Sequence, residues 1–208
     1  MSRSYLTVAG ETEVRTEIKR SEFIATITHV EDGESAEAFV KAVRKRFTDA
    51  THNCYAYISD ERGHETRFSD DGEPGGTAGQ PMLEVLKKRG LMRTAVVVTR
   101  YFGGIKLGAG GLVAAYTDGV SKAADAAGTV TMTECACITF RCGYADLPLL
   151  EQALERAGAK KADTEYGEDI LSHWWTELDR ADEMTALIEA RTSGRVRATV
   201  TDTRFEAL

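Results

Sequence analysis

The sequence predicts an α+β protein of two domains, and three patterns predict it. Up to residue 133, β-prone runs alternate with helical repeats. A long alanine-rich helical segment closes that stretch at Gly128. From residue 134 onward the segments follow the order βαββαβ, the split βαβ pattern of ferredoxin-like domains. The expected domains are 1–133 and 134–208.

In the first domain, Val14–Lys19 and Phe23–Val30 are strand-like runs joined by the polar Arg20-Ser21-Glu22, which predicts a hairpin. Ser35–Phe47 carries Ala36, Phe39, Val40, Val43 and Phe47 at helical spacing, with acids early and Lys41, Arg44, Lys45 and Arg46 late, as the helix dipole favours. Asn53–Ser59 is a strand, and Asp60-Glu-Arg-Gly turns the chain into a short return over Glu65–Phe68. Thr77–Arg89 is helical, with Pro81 tolerated only near its start. Thr94–Phe102 is the most β-branched run and predicts a buried central strand. A helix from Leu112 to Ala127 completes the domain, and Thr129–Glu134 is the expected boundary.

The second domain reads as strand 135–143, helix 146–157, strands 160–166 and 170–178, helix 181–192 and strand 195–205. Gly158 and Gly194 close the two helices. Trp174 and Trp175 fall on opposite faces of their strand, one to pack and the other to mark a partner surface.

Composition narrows the function. With 42% hydrophobic and 28% charged residues the chain has ordinary globular usage. A net charge of −7, concentrated toward the C-terminus, opposes bulk coating of nucleic acid and leaves only a local basic groove for it. The first residues hold no apolar signal core, and no apolar run reaches the roughly 20 residues needed to span a bilayer. A cytoplasmic location with no membrane partner is expected. Cys54, Cys135, Cys137 and Cys142 include no C-x-x-C pair and read as reduced structural thiols.

Two glycine-rich segments carry the candidate chemistry. Ser69-Asp-Asp-Gly-Glu-Pro-Gly-Gly-Thr-Ala-Gly-Gln-Pro-Met contains Asp70, Asp71, Gly72, Glu73 and Gly79. Its three acids have the oxygen ligands a hard cation takes, although the ordinary role of such residues is to cap turns and helix starts, and the sequence favours that role. In the second segment, a strand ending in Arg100-Tyr-Phe runs through Gly103, Gly104, Lys106, Gly108, Gly110 and Gly111 into a helix. Free backbone N–H groups and a helix dipole there suit phosphate or carboxylate, with Arg100 and Lys106 as charge partners. A tight strand-to-helix connection explains the same glycines equally well. No Walker A pattern occurs.

His52 with Cys54 admits a Cys/His nucleophile, but the structural reading of both is favoured. The basic clusters Lys41–Arg46 and Lys87–Arg93 offer a face for RNA or a phosphorylated ligand, and more simply complement helix C-termini.

Taken together, His52-Asn-Cys-Tyr-Ala-Tyr, the segment Arg67–Met82 and the segment Val98–Tyr116 closely resemble the signature of the YigZ/IMPACT family, over most of residues 15–128. The resemblance implies a first domain with the α/β fold shared by a small-subunit ribosomal protein and GHMP kinases. It implies a second domain like the ferredoxin-like C-terminal domain of elongation factor G. Leu107-Gly-Ala-Gly-Gly-Leu is similar to a GHMP-kinase phosphate loop without its serines, so ATP binding is not carried over. Eukaryotic IMPACT proteins are translational regulators.

The leading expectation is therefore a translation- or stress-associated binding protein whose glycine loops hold RNA, a nucleotide or another phosphate-bearing ligand, or a translation-associated protein partner. The alternatives are a small-molecule hydrolase or phosphoryl-transfer enzyme built on His52, Asp70, Asp71, Glu73 and Arg100, and a scaffold. No cofactor is expected, with Mg²⁺ entering only alongside a phosphate ligand. Neither a reaction nor an oligomeric state follows from the sequence.

Overall fold

The computed structural model describes residues 3–207, which form ten strands, five α-helices and a short 3-10 turn. Contacts divide the chain into a unit spanning Tyr5–Thr131 and a second formed by residues 132–207 with residues 3–4.

The first unit is built on five antiparallel strands, β2 (Thr12–Ile18), β3 (Ser21–His29), β4 (His52–Ile58), β5 (Thr66–Ser69) and β6 (Thr94–Tyr101), in the order β2-β3-β6-β4-β5. Every residue of β6 except Tyr101 is buried, because both faces of the sheet are covered. On one face Val96 and Val98 pack with Phe23, Cys54 and Ala56 against α2 (Gly79–Lys88) and α3 (Gly108–Ala127), through Met82, Leu86, Tyr116 and Val120. On the other, Ala95 and Val97 meet Ala36, Val40 and Val43 of α1 (Gly33–Arg46). A strand buried on both sides loses the polar alternation of a half-exposed one, hence the unbroken β-branched run. Asp32 caps α1, accepting from the Ser35 N–H at 2.8 Å, while Arg44, Lys45 and Arg46 occupy its last turn.

The β2–β3 hairpin turns through two residues, Lys19 and Arg20, both in the left-handed region at φ 48° and 65°. Such turns ordinarily use Asn-Gly, and a non-glycine residue there costs about 1–2 kcal/mol.

Three features differ from the sequence-based expectation. A strand, β1 (Ser4–Val8), precedes the hairpin and pairs with β7 (Thr129–Cys142); five residues are too few to show a period. Thr129–Glu134, the expected boundary, forms the first part of β7, in keeping with its β-prone composition. Helix α3 starts at Gly108 instead of Leu112, so Gly108, Gly110 and Gly111 belong to its first turn. Helix α2 starts at Gly79, two residues later than expected.

In the second unit β7, β8 (Lys160–Tyr166), β9 (Ile170–Glu177) and β10 (Ala198–Glu206) form an antiparallel sheet in the order β8-β9-β7-β10. With α4 (Leu147–Arg156) and α5 (Ala181–Arg191) this is the split βαβ topology that the order of segments implied. Its core joins Ile138, Phe140, Ile170 and Trp174 to Leu150, Leu154, Met184 and Ile188. Trp174 is fully buried and donates to the Ser172 hydroxyl at 2.8 Å. Trp175, half-buried on the opposite face, lies under Arg204, whose Cζ is 4.4 Å from the ring centre. Among the described residues no helix is long and apolar enough to cross a membrane.

Candidate functional site

Strand register makes the first contact of the site. His52, at the start of β4, is the antiparallel partner of Arg100 near the end of β6. The first glycine loop brings Glu73 over this pair, and the second carries the chain from Phe102 into α3. Together they enclose a cavity of about 380 Å³ lined by Thr51, His52, Glu73, Pro74, Arg100, Phe102, Lys106, Leu107, Gly108, Ala109 and Leu112.

At its base is a buried ion pair. Glu73 Oε1 accepts from Arg100 Nη1 and from the Tyr116 hydroxyl, both at 2.7 Å. The two charged side chains are only 3% and 6% exposed, so their attraction works against a large desolvation cost. The guanidinium lies against the rings of Phe23 and Phe102, each 5.4 Å from Cζ, and its Nη2 donates to Ser21 Oγ at 3.4 Å. Its Nε is buried without a hydrogen-bond partner among the described residues. Burial, reinforced by Cys54 and Glu73 nearby, raises the Tyr116 pKa, so its hydroxyl stays protonated as a donor to Glu73.

His52 Nδ1 is 2.8 Å from the Asp71 carbonyl, an atom that can only accept. Nδ1 therefore carries the proton of the neutral ring. In that neutral form the lone pair is on Nε2, which is 3.8 Å from Glu73 Oε2.

Cys54 is not its nucleophilic partner. Burial pushes the thiol up to about 12, and Sγ bonds instead to the Asp70 carbonyl at 3.0 Å and to Tyr116 Oη at 3.4 Å. A thiol so protonated and so enclosed is inert.

The three acids of the first loop diverge. Asp70 accepts from the backbone N–H groups of Gly76, Ala78 and Gly79 and so holds the loop to the start of α2. Asp71 binds Arg44 and the Asn53 N–H. Only Glu73 reaches the cavity. The described residues contain no group of three or more His, Cys, Asp or Glu arranged to hold a metal ion. Asp71 and Gly72 take positive φ in succession, 43° and 87°, a reversal that turns Glu73 inward beside His52.

The glycines divide similarly. A Cβ at Gly79 would lie 2.7 Å from the Ser69 backbone, and one at Gly103 would overlap the Arg20 carbonyl, so both permit close approach of chain to chain. Gly104 and Gly108 have φ of 83° and 75°. Gly108 and Ala109 line the cavity at the start of α3, where Leu107 supplies no side-chain cap, so the first N–H groups of the helix are not claimed by one. Gly110 and Gly111 sit in the same turn outside the lining.

Thus His52, Glu73, Arg100, Lys106 and Gly108 converge, while Asp70, Asp71, Gly72, Gly79, Gly103 and Gly104 shape the walls. Sequence reasoning missed Phe102, Tyr116 and Ser21. An aromatic inside a glycine-rich loop was a usable signal for Phe102; Tyr116 looks like any core residue of an amphipathic helix.

These features define a class: a two-unit α+β protein whose first unit carries, between two glycine-rich loops, a cavity with a buried ion pair at its base. Residues 19–124 match the family model described as the Impact N-terminal domain, and residues 140–195 match a domain of unknown function, DUF1949. The chain is 41% identical over 193 residues to the IMPACT family member YvyE of Bacillus subtilis, covering 86% of this chain and 88% of that protein. It is 40% identical over 170 residues to the IMPACT family member YigZ of Escherichia coli, covering 81% and 83%. A solved structure described as that of a hypothetical protein matches with a TM-score of 0.64 at 35% identity, over 97% of this chain and 98% of the other. The chain belongs to the IMPACT family.

Proposed function

We propose that this chain is a translation-associated regulatory protein of the cytoplasm that binds a phosphate-bearing ligand in the cavity at the start of α3. The observation that carries the reading is the uncapped first turn of α3 opening onto a cavity lined by Lys106. Glu73 and Arg100 neutralise each other, so Lys106 and the helix dipole set the sign of the site, and that sign favours an anion. The N–H groups of Gly108 and Ala109 are the donors to a phosphate oxygen. Mg²⁺ enters only with such a ligand, since Asp70 and Asp71 are engaged elsewhere. The link to translation rests on the family resemblance.

Calorimetric titration with inorganic phosphate and with nucleotides, each with and without Mg²⁺, tests the reading. Wild type should bind, and Lys106→Gln should bind several-fold more weakly. Absence of heat with every phosphate compound, from a protein shown to be folded, would remove the proposal.

One observation favours a hydrolase as the second reading: the His52 Nε2 lone pair and the α3 terminus share one cavity, the pairing of a base with an anion hole. Turnover of phosphate or acyl esters that disappears in His52→Gln while phosphate binding persists would establish it. Binding without turnover would leave the first reading alone.

A further inference from the structure

The β2–β3 hairpin turn packs against Gly103, in the loop that leads into the cavity. Lys19, Arg20 and Lys106 are exposed, and none has an ion-pair or hydrogen-bond partner among the described residues. Neighbouring arginines are neutralised: Arg15 by Glu13 and Glu22, Arg46 by Glu11 and Glu13. The hairpin turn is also fastened to the cavity. The Arg20 carbonyl rests on Gly103, and Ser21 Oγ accepts from the Gly103 N–H at 3.2 Å and from Arg100 Nη2 at 3.4 Å. Two cations are thus held in a left-handed turn where Asn-Gly is ordinary, against the loop that carries Phe102 and Lys106.

Phe102 supplies the other half of the argument. It lines the cavity yet remains 46% exposed, with Ile105 three residues further along the loop at 40%. Arg100 lies against its ring. An exposed aromatic among unpaired cations is what an unpaired strand recognises, through base stacking and backbone phosphates. A double helix keeps its bases stacked away from such a ring, and a mononucleotide has no following phosphates for the hairpin.

Resting on the phosphate reading above, we propose that the mouth of this cavity binds single-stranded RNA. One base stacks on Phe102 and successive phosphates lie on Lys106 and on Lys19 and Arg20. The chain's net charge of −7 confines such binding to this local surface.

Fluorescence anisotropy with a labelled oligouridylate of about a dozen nucleotides tests this, with a duplex RNA, inorganic phosphate and nucleotides as competitors. The oligonucleotide should bind the wild type and outcompete the duplex. Phe102→Leu, checked for an unchanged melting temperature, should weaken it about tenfold. The double variant Lys19→Gln, Arg20→Gln should flatten the slope of log affinity against log salt by about 1.4, roughly 0.7 for each phosphate no longer neutralised. Phosphate or nucleotide binding without RNA binding overturns this inference and leaves the phosphate site standing. Absence of binding by every one of them overturns both. RNA binding unchanged in all the variants, or equal binding of the duplex, overturns the inference as well.

Discussion

Glu73 is a carboxylate held out of water by one guanidinium and one phenol. Replacing it with alanine leaves Arg100 buried without a counter-charge, and the expected loss is about 3–5 kcal/mol in urea unfolding. Converting both residues to methionine should recover much of that loss, because two desolvated charges disappear together. Asp70 gives a pH signature. Burial opposes its ionisation, but the N–H groups of Gly76, Gly79 and Ala78 outweigh it and hold the carboxyl below its usual range. A depressed folded pKa stabilises fully above the unfolded value near 3.9, and the contribution fades as pH falls through the folded one. Asp70→Ala should therefore cost about 1–2 kcal/mol at neutral pH, with the gap to wild type closing in acid. A gap of constant size down to pH ~2 would contradict the charged-acceptor role. At this scale the sequence was half legible: capping was the expected work of Asp70, whereas nothing in the spacing of Asp70, Asp71 and Glu73 told which of the three would turn inward.

The elements show why glycine content alone misleads. Gly103 lies where the loop after β6 meets the hairpin carbonyl of Arg20, and alanine there has no room. Gly110 lies in the first turn of α3 with nothing within 4 Å of a Cβ position. Gly103→Ala should destabilise by about 1–3 kcal/mol through forced backbone shifts, while Gly110→Ala should stabilise by about 0.5–1 kcal/mol by removing unfolded-state freedom. Thermal melts of the two variants, moving in opposite directions, check both. One letter in one run thus has two meanings, and only the neighbouring segment separates them. The helix and strand periods, by contrast, were legible: β6, α1 and the βαββαβ order follow from local pattern, whereas β1 was too short to announce itself.

Across the whole molecule, two units with separate cores divide the work. The cavity draws its lining from residues 51–112 of the first unit, and Leu154 belongs to the core of the second. Leu154→Ala should cost the second unit about 2–5 kcal/mol while the phosphate binding proposed for the cavity, measured by calorimetry, stays as in wild type. The sequence by itself determined the fold class, the alternation of elements and the place of the two glycine-rich loops. It did so because side-chain periodicity and glycine–proline chemistry are local properties. Only the tertiary structure decided that His52 pairs with Arg100, that Tyr116 reaches Glu73 across 43 positions, and that the hairpin turn is fastened to Gly103. Those contacts arise from strand register and close packing between segments distant in sequence, and no local pattern encodes them.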